Sequence, residues 1–361
     1  MMKKSLVALA ALAVVGVASA QSSVTLYGVL DVGFGKVKGG SFGLNNGEGY
    51  NTRATPGTVV STTKDGFNST SVIGFRGSED LGGGLKANFN LQSGGIDLSG
   101  GATPLAFSRE AWVGLSGGFG DVQFGRSSSV PARTMGRYDL NGTSYSSALD
   151  RAGVSAVTWL GSSRRNDYIL YNTPNLGGFT ARLGVTLKAD TTNNGLAVAA
   201  AAKTQTSVGV NFDNGPLSLG GVVETANTAA NRTAYAFGAS FDFGVAKVSA
   251  AYNRRETAGA VGVSSLTTPG NGGKGASVGV VAPIGAFYVG AQFARNSESN
   301  VKATELFAGY NLSKRTKLYV DFARISGATA VAAAAATATA TGRDAVPANP
   351  TVLGMGVVHT F

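Results

Sequence analysis

The charged side chains that could act on ions are concentrated in one segment, residues 126–165. Pro131, several glycines and many Ser and Thr residues interrupt regular structure in this segment. Its charges of both signs are Arg126, Arg133, Arg137, Arg151, Arg164, Arg165, Asp139 and Asp150. Opposed rows of fixed charge orient water and ions in a narrow passage. The segment is therefore either a functional loop inside a water-filled pore or a surface loop that covers a sheet edge, and the flanking elements must decide.

Residues for catalysis or metal binding are few. His359 is the only histidine, and the chain has no cysteine. A metal site or a nucleophile relay needs several partner side chains, and His359 stands among apolar residues. Residues 270–275 match G-x-G-x-x-G, but they do not join a strand to a helix, as dinucleotide binding requires. We therefore expect no enzyme activity, no catalytic residue, no metal and no cofactor.

Alternating apolar and polar residues recur along the chain after residue 20. Phe179, Ala181 and Leu183, for example, alternate with Thr180 and Arg182. Successive side chains of a strand point to opposite faces, so each such segment has one apolar and one polar face. The pattern predicts about sixteen strands and an all-β fold. The expected spans are 24–34, 71–79, 85–93, 109–116, 121–127, 167–173, 178–188, 206–213, 217–227, 232–241, 245–255, 274–282, 286–295, 301–312, 316–325 and 351–361.

The connections between these strands alternate in length. Short turns such as 80–84, 174–177 and 283–285 contain Gly, Pro, Asn or Asp. The longer polar loops are 35–70, 94–108, 128–166, 189–205, 256–273 and 326–350. Short turns at one end and long loops at the other are typical of outer-membrane barrels. We therefore predict a transmembrane antiparallel β-barrel whose third extracellular loop, about residues 126–165, folds inward.

The apolar strand faces must point outward in such a barrel. A barrel of this size is too wide to be filled by side chains and leaves an aqueous channel. Lipid stabilises the apolar outer face, and closure satisfies the backbone groups. Aromatic residues near strand ends fit an interfacial girdle. Those with outward parity are Phe34, Phe179, Tyr235, Phe241, Phe287, Phe293 and Phe361.

The first twenty residues have the features of an export signal. Lys3 and Lys4 precede an apolar run that ends at Ala18-Ser19-Ala20. This pattern predicts a cleaved signal peptide over 1–20 and a barrel domain over 21–361. The formal net charge is +10, of which Lys3 and Lys4 contribute two. The basic residues are scattered singly, which favours anionic solutes or lipopolysaccharide over nucleic acid as partners.

Several motifs resemble those of the general trimeric porins of β-proteobacteria, of the Burkholderia and Neisseria type. Residues 23–31, SVTLYGVLD, look like the opening strand of these porins. Residues 357–361, VVHTF, are similar to their terminal strand, in which Phe361 would be the membrane-insertion signal. Residues 74–87 resemble their second hairpin. Residues 109–115 and 119–126 resemble the strands that lead into their constriction loop, and residues 171–179 resemble the strand exit after it. Leu170 departs from the pattern, because the family often has a basic residue there.

The resemblance covers nearly the whole chain after residue 20. It implies a sixteen-stranded homotrimer in the outer membrane of a Gram-negative bacterium. It also implies passive diffusion of ions and small hydrophilic solutes, with anions favoured in several members of the family.

The residues expected at the constriction form a wall set and a loop set. The wall set is Arg76, Lys86, Arg109, Arg126 and Arg182, and the loop set is Arg133, Arg137, Asp139 and Asp150. Arg126 shares the parity of Phe124, so it reaches the lumen only if a bulge at Gly125 intervenes, and a similar condition applies to Arg109. Asp31 and Asp321 are inward acidic candidates. Simple solvation of a wet lumen is the alternative role for each of these charges.

Fixed positive charge around a narrow channel concentrates anions, while screening over roughly 8–10 Å keeps the preference modest. We therefore predict a passive, mildly anion-preferring porin whose partners are itself, outer-membrane lipid, lipopolysaccharide and solutes in transit. Two alternatives stay open. One is an adhesin or structural barrel that acts through loops 35–70 and 326–350. The other is a substrate-specific channel, for which the lumen offers only scattered tyrosines such as Tyr27, Tyr288 and Tyr319.

Overall fold

A computed structural model describes most of the strands and part of the connecting loops. The described residues are 23–38, 59–65, 68–94, 96, 105–142, 163–187, 192–193, 196–197, 204–225, 231–257, 273–297, 302–326 and 351–361. The predicted signal peptide and Asp150 lie outside these ranges, as do most residues of the predicted loops 35–70 and 326–350.

Antiparallel strands make up most of the described residues. They are β1 (Ser23–Lys38), β2 (Val59–Asp65), β3 (Val72–Gly82), β4 (Leu85–Gly94), β5 (Glu110–Gly117), β6 (Gly120–Ser128), β7 (Arg164–Asn172), β8 (Phe179–Thr186), β9 (Thr192–Asn193), β10 (Leu196–Ala197), β11 (Gln205–Asn214), β12 (Leu217–Glu224), β13 (Asn231–Asp242), β14 (Lys247–Thr257), β15 (Gly273–Ile284), β16 (Phe287–Asn296), β17 (Lys302–Asn311), β18 (Thr316–Ser326) and β19 (Thr351–Thr360). A short helix α1 (Val130–Met135) and a 3₁₀ turn (Gly136–Tyr138) follow β6. No helix among the described residues is long and apolar enough to span a membrane.

Seventeen of these strands form one closed sheet. The sheet closes where the first strand β1 pairs with the last strand β19, and β8 pairs with β11 across the small β9–β10 hairpin. Both β2 and β3 pair with β1. The strand β2 pairs with residues 32–38 of β1, and β3 pairs with residues 23–29. They therefore share one position beside β1, and the barrel has sixteen strand positions, which confirms the predicted number.

The faces of the strands confirm the predicted orientation. In β11, Val208 and Val210 are exposed on the outer surface, whereas Ser207 and Asn211 are buried on the inner one. A polar interior with an apolar exterior is the reverse of a soluble barrel, and only lipid makes such an exterior stable. Six of the predicted girdle aromatics are exposed: Phe34, Phe179, Phe241, Phe287, Phe293 and Phe361.

Some apolar side chains are nevertheless buried inside the barrel. Val130, Met135 and Tyr138, from α1 and the 3₁₀ turn, belong to one buried cluster with Leu170 and Val222. Leu170 and Val222 have inward parity on β7 and β12, so this part of the wall is covered by the loop rather than by water. This cover explains why residue 170 is a leucine rather than a basic residue, because the charge of a basic side chain would be buried under the loop.

The strand pattern missed three elements. The strand β2 lies inside the predicted loop 35–70, and its sequence VVSTTKD lacks the alternation of the other strands. The hairpin β9–β10 lies inside the predicted loop 189–205. The helix α1 interrupts the predicted inward loop, where the Ser129 side chain accepts a hydrogen bond from the N–H of Ala132 and Pro131 stands in the first turn.

Candidate pore constriction

The described part of the loop between β6 and β7, residues 129–142, lies against the inner face of the barrel. Asn211 on β11 donates to the carbonyl of Thr134 at 3.1 Å. Ser249 on β14 donates to the carbonyl of Tyr138 at 2.9 Å, and Gln292 on β16 accepts from the N–H of Leu140 at 2.8 Å. These wall residues are all buried and have inward parity. The segment therefore crosses the lumen from β6 to the opposite wall.

Glycines on the inner wall form the seat of this segment. Gly220 on β12 and Gly238 on β13 face each other in the sheet, and the Tyr138 ring lies across both. A Cβ atom at either position would collide with that ring. A Cβ atom at Gly209 on β11 would collide with Thr134 in the same way. The glycines therefore create the space in which the loop packs.

Three of the predicted arginines come together beside this seat. Arg182 on β8 donates to Asn211 at 2.6 Å. Nη1 of Arg137 on the 3₁₀ turn donates to both carboxylate oxygens of Asp213 at 2.9 Å. Arg133 on α1 donates to the carbonyl of Ser128 at 3.0 Å. Asn211, which accepts from Arg182, donates to the carbonyl of Thr134 on α1, so Arg182 lies beside the loop. Wall and loop thus bring three guanidinium groups to one region. Asp213 beside Arg137 and Glu110, 4.0 Å from Arg133, offset part of their charge.

Two more wall arginines belong to a polar ladder on β1, β3 and β4. The guanidinium of Arg76 lies over the Tyr27 ring, 5.1 Å from its centroid. Tyr27 accepts a hydrogen bond from Gln92 at 3.2 Å, and Gln92 in turn accepts one from Arg109 at 3.0 Å. Arg76 is exposed to the lumen, as its parity predicts, and Gln92 brings the Arg109 side chain to the same wall.

Lys86 lies outside this ladder. It pairs with Asp80 and Ser116 immediately after the short β3–β4 turn, whereas Arg76 pairs with Asn90 four residues further along β4. Four residues of strand correspond to roughly 13 Å. Lys86 is therefore a residue of the barrel rim, and its predicted place in the narrowest wall is corrected.

Arg126 is also misplaced in the prediction. It pairs with Ala111 and keeps the outward parity of Phe124, which is exposed. The sheet does contain an irregularity here, but the extra residue lies on the partner strand β7, where Asp167 has a positive φ of 44°. A bulge on β7 leaves the parity of β6 unchanged, so the Arg126 guanidinium bonds to Asn166 rather than facing the lumen.

Acidic side chains collect on the opposite wall. Gln292 donates to Asp139 at 2.8 Å and to Glu305 at 2.9 Å. Asn141 donates to Glu305 at 2.7 Å and to Asp321 at 3.3 Å. Asp139 therefore lies in the loop as predicted, but it faces β16–β18 and is buried. The described residues include no group of three or more His, Asp or Glu side chains that could hold a metal ion.

The acidic partner of Arg165 was not predicted. Arg165 on β7 and Glu224 on β12 form an ion pair of 3.0 Å in which both side chains are almost fully buried. Ser207 on β11 also donates to Glu224, at 2.9 Å. Glu224 has the inward parity of Val222, so its position in the alternating pattern was the available signal. The pair connects β7, which follows the loop, to β12, which lies three strand positions away in the sheet.

The arrangement of a closed barrel, polar inside and crossed by a charged loop, agrees with the matches to known proteins. A model of the Gram-negative porin family matches residues 6–330. The chain belongs to this family. The prediction from the motifs is thereby confirmed, and this porin is a passive channel of the outer membrane of Gram-negative bacteria.

Relatives of this porin span most of its length. "Outer membrane porin protein 32" of Delftia acidovorans is 34% identical over 352 residues, which cover 91% of each chain. The solved anion-selective porin from Comamonas acidovorans is 29% identical, with a TM-score of 0.70, and the match covers 94% of this chain and 100% of that one. The trimer form of OmpT from Vibrio cholerae is 14% identical, with a TM-score of 0.57 over 94% and 99% of the chains, and it shares the fold.

Proposed function

We propose that this porin conducts small anions in preference to cations. The observation that carries the proposal is the meeting of wall and loop at β11. Arg182 bonds to Asn211 and Arg137 to Asp213, and Asn211 also bonds to the carbonyl of Thr134, the neighbour of Arg133. The Comamonas acidovorans porin, which is described as anion-selective, supports it.

The mechanism is electrostatic focusing. Guanidinium groups stay charged at all relevant pH values, and a narrow passage between low-dielectric walls strengthens their field. Arg76 and Arg109 extend the positive wall toward β1 and β3, while Asp139, Glu305 and Asp321 are buried on the far side. Anions would pass along the arginine wall. The preference would be modest, because salt screens the lumen and Asp213 offsets Arg137.

The test is the reversal potential across a salt gradient in planar bilayers. Wild type should give the sign of an anion-preferring channel, and Arg182→Gln should shift the potential toward cation preference. Arg126→Gln removes the same charge from the outward-facing position and should leave the potential unchanged. A wild type that prefers cations, or an Arg182→Gln variant without a shift, would contradict the proposal.

We also propose that the porin is a homotrimer. The trimer form of OmpT, which has the same fold, supports this assembly. The outer face near the seam adds apolar surface for contact, since Leu26, Phe34 and Met355 are exposed there on β1 and β19. Unboiled samples should migrate as a trimer on SDS gels and give a trimer mass in mild detergent. A monomer mass under those conditions would exclude it.

The predicted export signal stays a proposal as well. Cleavage after Ala20 would give a mature chain that begins at Gln21, three residues before Val24 of β1. Intact mass measurement of the protein from outer membranes tests this proposal directly, and a mass that includes residues 1–20 would contradict it.

A further inference from the structure

The strand position beside β1 is interrupted between β2 and β3. Pairing of β3 with β1 ends at Val29–Val72, and pairing of β2 resumes at Val32–Asp65. Two residues of β1 lie between these pairs, whereas six residues of sequence separate Asp65 from Val72. A sheet cannot hold six residues flat against two, so the surplus must leave its plane.

The described part of this interruption, residues 68–71, turns into the lumen. The side-chain amide of Asn68 donates to Asp321 on β18 at 3.2 Å. The strands lie side by side in the order β3, β1, β19 and β18. Asn68, which precedes β3, therefore reaches across the inner faces of β1 and β19 to β18, a span of roughly 14 Å. On the inner face crossed here Gly33 pairs with Gly356, and the Tyr319 hydroxyl lies where a Cβ atom of Gly356 would be.

The carboxylate of Asp31 holds the segment in this position. It accepts hydrogen bonds from the backbone N–H of Asn68 at 2.8 Å and of Ser69. Tyr319 on β18 donates to its other oxygen at 2.7 Å, and the Asp31 N–H donates to Ser71 Oγ at 3.0 Å. Asp31 is fully buried. These bonds replace the ladder bonds that the interruption removes.

The segment also contacts the loop that crosses the lumen. Asn68 donates to the side-chain oxygen of Asn141 at 3.2 Å. Asn141 donates in turn to Glu305 and Asp321 on the wall. Asn68 is therefore placed between the wall and the end of the described loop. A displacement of one inward segment would alter the hydrogen bonds of the other.

We propose that residues 68–71 form a second constriction element, which narrows the channel together with the loop and fixes the position of Asn141. Asp31 is the positioning residue of this element. The proposal rests on the channel function described above.

Thiol modification tests the position of the segment. The chain has no cysteine, so Ser69→Cys introduces a single thiol, on a side chain that is only half-buried. A bulky cationic methanethiosulfonate reagent should attach to the folded protein and lower the single-channel conductance in steps. The matched control is Leu176→Cys in the exposed short turn between β7 and β8, where modification should leave the conductance unchanged.

Two outcomes would overturn the proposal: no modification of Ser69→Cys in the folded protein, or modification without loss of conductance. Asn68→Ala gives a second measurement. It removes the amide that joins Asp321 and Asn141, and a barrel shown to be folded by its heat-modifiable mobility should have a higher conductance than wild type. An unchanged conductance would contradict the proposal. A wild type that does not conduct would instead refute the channel function itself.

Discussion

At the scale of single residues, the charged side chains of the lumen differ in whether they meet water or stay buried. Arg76 is exposed to the lumen, whereas Arg165 and Glu224 pair with each other away from solvent. Exposed lumen charges act on permeating ions and contribute little to stability. The buried pair is different, because removing one partner leaves an uncompensated charge inside the protein.

Glu224→Ala should therefore destabilise the barrel by about 3–5 kcal/mol, the usual cost of breaking a buried pair. The measurement is the temperature at which the folded band disappears on SDS gels, which should fall clearly. The double variant Glu224→Leu with Arg165→Met should recover much of the loss, since both charges are gone. A single variant as heat-resistant as wild type would show that the pair has no structural role.

Parity predicted the direction of single side chains where the strands are regular. It placed Arg76 and Arg182 correctly on the inner face. It could not decide Arg126, because the effect of a bulge depends on which of the two paired strands carries the extra residue, and pairing is not visible in one strand's sequence. The contacts of Asp139 with Gln292 likewise join residues far apart in the chain.

At the scale of elements, the loop is held by shape as much as by hydrogen bonds. The Tyr138 ring fits over Gly220 and Gly238, and its hydroxyl lies 3.4 Å from Ser218 Oγ. Neither glycine has a positive φ. Their role is therefore the absence of a side chain, which is a packing requirement on the inner face.

Gly238→Ala should push Tyr138 out of its seat and shift the loop in the lumen. Overpacking of this kind costs about 1–3 kcal/mol, so the barrel should still fold while its single-channel conductance changes. Gly221→Ala is the matched control on the adjacent strand, because a Cβ atom there meets only ordinary contacts near Phe237. Equal conductance in wild type and Gly238→Ala would show that Tyr138 does not position the loop.

The elements were predictable to different degrees. The sixteen expected spans correspond to the sixteen strand positions because alternation is strong wherever one face meets lipid. The strand β2 was not predicted because it extends the barrel beyond the part that meets lipid. Its polar run from Ser61 to Asp65 shows no alternation of apolar and polar residues. The start of α1 had a usable signal, since Ser129 and Pro131 are typical of a helix N-terminus, but the helix was too short to show periodicity.

At the scale of the whole molecule, closure joins the two ends of the described chain. The last residue, Phe361, exchanges two backbone hydrogen bonds with Gly28 on β1, at 3.0 and 3.1 Å. The Phe361 ring lies where a Cβ atom of Gly28 would be. Closure therefore depends on the terminal residue through both its backbone and its ring, which gives a structural reason for a role in assembly.

Phe361→Ala should lower the amount of folded barrel in the outer membrane, because the ring contact at the seam is lost. Phe293→Ala removes a similarly exposed aromatic side chain away from the seam and serves as the control. The yield of heat-modifiable protein in outer-membrane fractions measures the effect. If both variants accumulate like wild type, the terminal phenylalanine is not an insertion signal in this chain.

The separation of arginines and carboxylates onto facing walls also affects solutes that have no net charge. An amino acid or a similar zwitterion passing Arg182 would experience a torque in the field between the arginines and the buried carboxylates of Glu305 and Asp321. Its lowest-energy orientation would lie crosswise, with its carboxylate toward the arginines. Its passage would then depend on the distance between its own two charges. Two isomeric zwitterions of equal mass would cross at different rates, so the channel would sort neutral molecules by their dipole moment.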